Sequence, residues 1–276
     1  MKNKIIGLGI VLLLCFNLNA IVTAKYDFTW RVIADSLNVP WEIKQIDSNW
    51  IIFTERTGKV SKLNISTGEK KLLLKLNDVF QTGESGLLGM ELHPDFPDTP
   101  YVFLVYTYGD TPLFWEKVVR YRYATDTLIE PFKLIDRIIA YMIHDGSRLM
   151  IGSDRKLYIT TGEADMQELS LDKNSLNGKL LRINLDGSIP EDNPFGNAVW
   201  SFGHRNAQGM VEVNGKIIIS EHGPSTDDEI NVIQKGGNYG WPKVIGYCDE
   251  NYPGEKDYCS KNNVIEPVIS LYPEVT

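Results

Sequence analysis

Apolar residues along this chain come in short bursts rich in Ile, Val, Tyr and Phe, interrupted at nearly every turn by Gly, Asp, Asn or Pro. Helical spacing is scarce, so the pattern predicts a mostly β protein. A unit recurs roughly every fifty to sixty residues: an apolar strand, a turn, a second strand, then a third that alternates apolar with polar. The first reads WEIKQI, NWIIFTERTG, KVSKLNI; the second GLLGMELH, YVFLVYTY, KVVRYRY; the third SRLMIGS, KLYITTGE, GKLLRINL; the fourth QGMVEV, KIIISEHG, DEINVI. A single small sheet cannot bury both faces without neighbours, so these units predict the blades of a β-propeller. A jelly roll or sandwich of similar strand count is the competing architecture. FTWRVIA (Phe28 to Ala34) is expected as a strand before the first blade, and EPVISLYP (Glu266 to Pro273) as the opening of a fifth. Residues 25–276 thus read as one all-β domain of four to five blades, ending mid-pattern at Thr276.

The first 24 residues divide into a basic start (Lys2, Lys4), an apolar run from Ile5 to Leu14, and a small-residue stretch ending at Ala24. That layout predicts a signal peptide over 1–24, with a mature chain starting at Lys25 in the periplasm or outside the cell. The apolar run falls short of the about 20 residues a bilayer span needs. Leu14 before Cys15 does not suit lipoprotein processing, so no membrane anchor is expected. Losing two lysines and no acid takes the formal charge from −8 to −10. Nucleic acid and anionic membranes are poor partners for such a surface. The mature chain keeps Cys248 and Cys259 in the polar loop YCDENYPGEKDYC, and an oxidising compartment predicts a disulfide between them. The four histidines, His93, His144, His204 and His222, all sit in stretches punctuated by Gly or Pro. Such positions predict blade-edge loops, where a rigid scaffold holds a site open to solvent.

Seven strings then occur in one order: ERTGKV, GESGLLGMELHPDF, IHDGSRL, LNGKLLRINLDGSIPEDNPF, GHRNAQG, EHGPSTDDEIN and GGNYGWP, spanning Glu55 to Pro242. Together they resemble the soluble glucose/aldose sugar dehydrogenases, quinoproteins that use pyrroloquinoline quinone (PQQ) and calcium on a six-bladed propeller. The resemblance covers the mature chain but only the N-terminal part of the family domain. It implies an oxidoreductase that converts the anomeric carbon of an aldose sugar to a lactone and passes electrons to an external acceptor.

On this resemblance His144 is the general base. A neutral imidazole with an ordinary pKa of about 6.5 can accept the anomeric hydroxyl proton, while the hydride from the same carbon passes to the quinone. Arg205 and Asn206 match the cofactor-contacting pair, and the guanidinium also serves catalysis by holding a carboxylate or developing oxyanion. His204 beside them is expected to support the turn. The carbonyls of Gly223 and Pro224 match those that hold the site's Ca2+, a hard ion that accepts backbone oxygens and polarises the quinone carbonyl. Glu229 and Tyr239 match a second, structural calcium position; the alternative for DDEIN is a solvated acidic turn. Glu84 is a candidate substrate contact. Ile143 stands where the glucose-oxidising branch carries a polar neighbour, which sets glucose specificity aside. Asp192-Asn193-Pro194 reads as loop chemistry. The family places further cofactor and sugar contacts in its last blades, so an open array is expected to turn over poorly and to expose apolar faces. The alternatives are a non-catalytic propeller that binds a ligand or partner, and a decayed relative.

Overall fold

A computed structural model of the chain describes residues 31–271. The expected signal peptide and Phe28 to Trp30 lie outside the described residues, and 31–34 are irregular, so the strand expected before the first blade is not seen there. From Ala34 onward the chain forms one compact unit. Its strands make four antiparallel sheets of four, each in plain chain order. Blade 1 is β1 (Pro40–Gln45), β2 (Trp50–Glu55), β3 (Lys59–Asn64) and β4 (Lys70–Lys75). Blade 2 is β5 (Leu87–Leu92), β6 (Tyr101–Asp110), β7 (Leu113–Ala124) and β8 (Thr127–Ala140). Blade 3 is β9 (Gly146–Ile151), β10 (Leu157–Thr161), β11 (Lys179–Ile183) and β12 (Val199–Phe202). Blade 4 is β13 (Ala207–Val213), β14 (Lys216–Glu221), β15 (Asp228–Val232) and β16 (Ile269–Leu271). The opening strand of each blade contacts that of the next, β1 with β5, β5 with β9 and β9 with β13. These four strands stand along the axis and the sheets radiate from them, as in a β-propeller.

Two expectations change. Each blade has four strands, not three. The segment expected to open a fifth blade instead supplies β16, which pairs with β15 as the outer strand of blade 4. The outer strands of blades 1 and 4 escape the pattern because they bury so little: of KKLLLK in β4 only Leu73 is buried, and of ISL in β16 none.

Alternation within the inner strands explains why the sheets stack. Val102, Leu104 and Tyr106 of β6 pack toward blade 1 with Ile52, Val60 and Leu87, while Phe103 and Val105 pack toward blade 3 with Leu149, Leu157 and Ile159. Tyr158 and Leu180 face blade 4 and meet Ala207, Ile217 and Ile219. Successive side chains of a strand point to opposite faces, so a blade with two apolar faces needs a neighbour on each. Burial of one such side chain stabilises by roughly 1.5–3 kcal/mol, against a net of roughly 0.5–1.5 kcal/mol for a hydrogen bond. The interfaces therefore do most to hold the blades in line.

Cys248 and Cys259 are bonded as expected, with Cα atoms 6.3 Å apart. Their loop is not all irregular, because Cys259 sits on α1 (Glu255–Asn262). Buried Glu255 ties the helix down by accepting the Ile245 N–H at 2.9 Å and the Tyr252 N–H at 3.2 Å. Asp192-Asn193-Pro194 is also structural: Asn193 Nδ2 donates to the carbonyls of Arg182 and Asn197, and Arg182 binds Asp192 at 2.9 Å. Among the described residues no helix is long and apolar enough to cross a membrane.

Candidate active site

The site candidates gather at one end of the blades for a topological reason. Glu84 precedes β5, His144 precedes β9, and Arg205 and Asn206 precede β13, so all three loops feed the start of an axial strand. Gly223 follows the end of β14, the antiparallel neighbour of β13, and so returns to the same end. His93 follows β5 and lies at the opposite end, where its Nδ1 accepts the Asp95 N–H at 3.2 Å.

His144 is held from three blades. Its φ is 61°, a left-handed conformation costly for a residue with a side chain. Its N–H donates to Glu84 Oε2 at 2.8 Å and its carbonyl accepts the Ala164 N–H at 3.1 Å. The backbone of Gly162 passes so close that a Cβ there would stand 1.7 Å from the His144 carbonyl oxygen, so no other residue fits. Two residues further on, the Gly146 N–H donates to Asn206 Oδ1 at 3.0 Å. The imidazole Nδ1 lies 2.5 Å from Glu163 Oε1. Paired with the buried carboxylate, Nδ1 carries the proton and donates, which leaves the lone pair on Nε2. Glu163 was not singled out from sequence, although its loop after β10 has the same place in blade 3 that EHGP has in blade 4.

Arg205 adjoins this pair, since its carbonyl accepts the Glu163 N–H at 2.9 Å. Its own N–H donates to the Glu221 carboxylate, its Nη1 to the His222 carbonyl at 3.2 Å, and its guanidinium lies 5.3 Å from the Trp241 ring centre. Burial pulls the guanidinium below its usual value against the carboxylates of Glu163, Glu221, Glu84 and Asp228. Its Nε, like Glu163 Oε2, is buried with no hydrogen-bond partner among the described residues. A desolvated cation with an unused donor suits an anionic ligand. His204 is fully buried; its ring lies 2.8 Å from Ser201 Oγ and 3.0 Å from Glu221 Oε2 and stacks on Tyr239 at 4.6 Å. Every polar atom of that ring is engaged, so it braces the turn.

Gly223, Pro224, Glu229 and Tyr239 line one small cavity with Arg205, Glu221, Asp227 and Trp241. About 10 Å³ of it is open to the centre of a water-sized sphere, room for one small ion or water. DDEIN is not a solvated turn, because Asp227 and Asp228 are buried. Burial first, then the charge of Glu221, pushes Glu229 up to about 8, although its carboxylate accepts from Asn231 Nδ2 at 2.8 Å and the Gly246 N–H at 3.0 Å. Asp227 Oδ2 is buried without a hydrogen-bond partner among the described residues. A cation would relieve this crowding of acids, so the residues fit calcium. No cluster of three or more His, Cys, Asp or Glu side chains is set as a metal site among the described residues, so backbone carbonyls would have to contribute. The Tyr239 hydroxyl is committed, donating to the Val232 carbonyl and accepting the Gln234 N–H, both at 2.8 Å. Only its backbone could serve a metal.

Residues 37–275 match the family model described as Glucose / Sorbosone dehydrogenase. The chain is 37% identical over 272 residues to quinoprotein glucose dehydrogenase B of Acinetobacter calcoaceticus, covering 86% of this chain and 57% of that protein. It is 32% identical over 270 residues to aldose sugar dehydrogenase YliI of Escherichia coli (strain K12), covering 93% and 72%. Among solved structures, the PQQ-bound form of an aldose sugar dehydrogenase from Streptomyces coelicolor superposes with a TM-score of 0.77 at 33% identity, covering 87% of this chain and 70% of that one. The apo-form of the soluble aldose sugar dehydrogenase from Escherichia coli gives 0.78 at 30% identity, with 87% and 74% covered. The chain thus spans a little over half the length of the Acinetobacter protein.

Proposed function

Because the chain belongs to the glucose/sorbosone dehydrogenase family, we propose that it acts in PQQ- and calcium-dependent oxidation of aldose sugars at the anomeric carbon, giving lactones and passing electrons to an external acceptor. The observation that carries this is the His144–Glu163 pair, set beside the buried, incompletely bonded guanidinium of Arg205. Nε2 of His144 would take the anomeric hydroxyl proton. Glu163 fixes the tautomer and ring orientation, as a carboxylate behind a catalytic histidine does. Bound PQQ would supply the carbonyl that takes up the hydride. Arg205 would hold its negative charge, and Asn206, whose Oδ1 also accepts the Gly146 N–H, would contact the cofactor beside it. The carbonyls of Gly223 and Pro224 would hold the site's Ca2+, and Glu229 with the Tyr239 backbone a second ion. Glu84 is a substrate contact only through the oxygen that His144 leaves free. The signal-peptide layout of residues 1–24 and the Cys248–Cys259 disulfide support a periplasmic or secreted protein.

The reading is tested by adding PQQ and Ca2+ to the purified protein and following reduction of an artificial acceptor by a panel of aldoses. Turnover that needs both additions is expected, and more from a form extended to six blades than from residues 25–276 alone. An extended form that binds PQQ yet oxidises no aldose would refute it. The metal assignment has its own check. Millimolar Ca2+ is expected to raise the thermal midpoint by several degrees over chelator, since a ligand that binds only the folded state stabilises it. No shift would withdraw both calcium positions.

A further inference from the structure

Behind the His144 loop lies a set of buried polar groups that the proposed chemistry does not use. Asp145, Ser85, Ser147 and Glu116 are each at most 2% exposed. Asp145 Oδ1 accepts the Tyr141 N–H at 3.0 Å, closing the loop 141–145 on itself. Its Oδ2 lies 2.6 Å from Ser85 Oγ, and that same oxygen lies 2.7 Å from the Tyr141 carbonyl. A serine hydroxyl has one proton to give, whereas a carboxylate and a carbonyl both only accept. With Asp145 ionised, one of the two contacts would press lone pairs together in a site shut off from water, where an unmade hydrogen bond is most costly. A proton on Oδ2 resolves both: the acid donates to Ser85, and Ser85 donates to the Tyr141 carbonyl. The geometry recurs next door, where Ser147 Oγ meets both the Glu116 carboxyl and, at 3.2 Å, the Asp145 carbonyl.

We propose that Asp145 is held as the neutral acid and is a positioning residue for His144, locking the 141–145 loop through Ser85 and loosening it when the proton is lost. The groups facing Asp145 are consistent with this. Burial is the strongest influence and lifts the carboxyl to about 7; Glu84 pushes the same way, while His144 and the Ser85 and Tyr141 hydrogen bonds oppose. Glu116 on β7 is itself raised well above its ordinary value, by burial first. Arg56 directs its donors to the carbonyls of Gly83 and Ser85, not to the acid. The sign follows from linkage. An acid raised from 3.8 to about 7 on folding holds its proton more tightly in the folded state. Its stabilising contribution is therefore complete below about pH 4 and is lost as pH rises through 7.

The catalytic part of this role rests on the dehydrogenase reading; the protonation state does not. The test is carboxyl 13C NMR of aspartate-labelled protein from pH 5 to 8, with the Asp145 signal assigned by Asp145→Asn. The expected result is a neutral acid at pH 6 that titrates near 7. Asp145→Asn, which offers a donor to Ser85 and an acceptor to Tyr141 without a proton to lose, should keep the His144 Nδ1–H resonance of the unaltered protein across that range. Asp145→Ala should shift or broaden it. In turnover, kcat of the unaltered protein should fall above pH 7 as the loop loosens, and kcat of Asp145→Asn should not. A carboxyl already ionised at pH 5, or an asparagine variant that disturbs His144 as much as alanine does, would overturn the proposal. Titration near 7 in a protein that oxidises no aldose would support the lock and count against the dehydrogenase reading alone.

Discussion

Replacing His144 with alanine is expected to lower kcat for PQQ-dependent aldose oxidation by about 10²-fold or more, with PQQ affinity nearly unchanged, the usual scale for loss of a general base. The expectation is specific because of how the ring is held. Glu163 accepts the Nδ1–H hydrogen bond at 2.5 Å, so only Nε2 can receive a proton from substrate. The side chain is 12% exposed, enough to reach a ligand and too little for water to replace it freely. Steady-state rates beside PQQ titrations separate the roles: a variant with unaltered kcat would remove His144 from the mechanism, and one that lost PQQ would make it a cofactor contact.

Arg205→Ala should behave differently, weakening PQQ retention as well as rate. One hydrogen bond to a charged group contributes about 1.5–3 kcal/mol, so a loss on the order of 10- to 100-fold in PQQ affinity is expected. Its removal also leaves the carboxylates of Glu163, Glu221, Glu84 and Asp228 without the cation they face, so a lower thermal midpoint is expected beside the loss of PQQ. Arg205→Lys should not rescue fully, since an ammonium lacks the planar fork. Equal PQQ affinity in the alanine variant would place Arg205 outside the cofactor contacts.

Much of the fold could be read from the chain because inner strands carry their signal in alternation and punctuation. YVFLVYTY packs one set of side chains on blade 1 and the other on blade 3. KKLLLK and ISL carry no such signal, since they bury one residue and none, and so the fourth strands of blades 1 and 4 went unseen and β16 was assigned to a fifth blade. EKDYCSKN lies behind Pro-Gly and buries only Glu255, leaving no apolar face to announce α1. His144, Arg205, Asn206 and Gly223 stood out because strings around them resemble a known family, and the structure brings them to one end. Glu163 lacked such a string, and Ser85 and Asp145 become legible only once two loops 60 residues apart are folded together.

The holding of His144 bears on when during folding a working site can exist. Glu84 reaches it across 60 residues, Asn206 reaches the next turn across another 60, and Glu163 across 19. Contacts of such separation form late, after local sheets, because the loops between them must first be closed. Blade 3 alone would hold the His144 carbonyl through Ala164 but would lack the Glu84 carboxylate that holds its N–H at a φ of 61°. A complete site therefore needs blades 2, 3 and 4 docked together, and a partly folded chain should show no turnover.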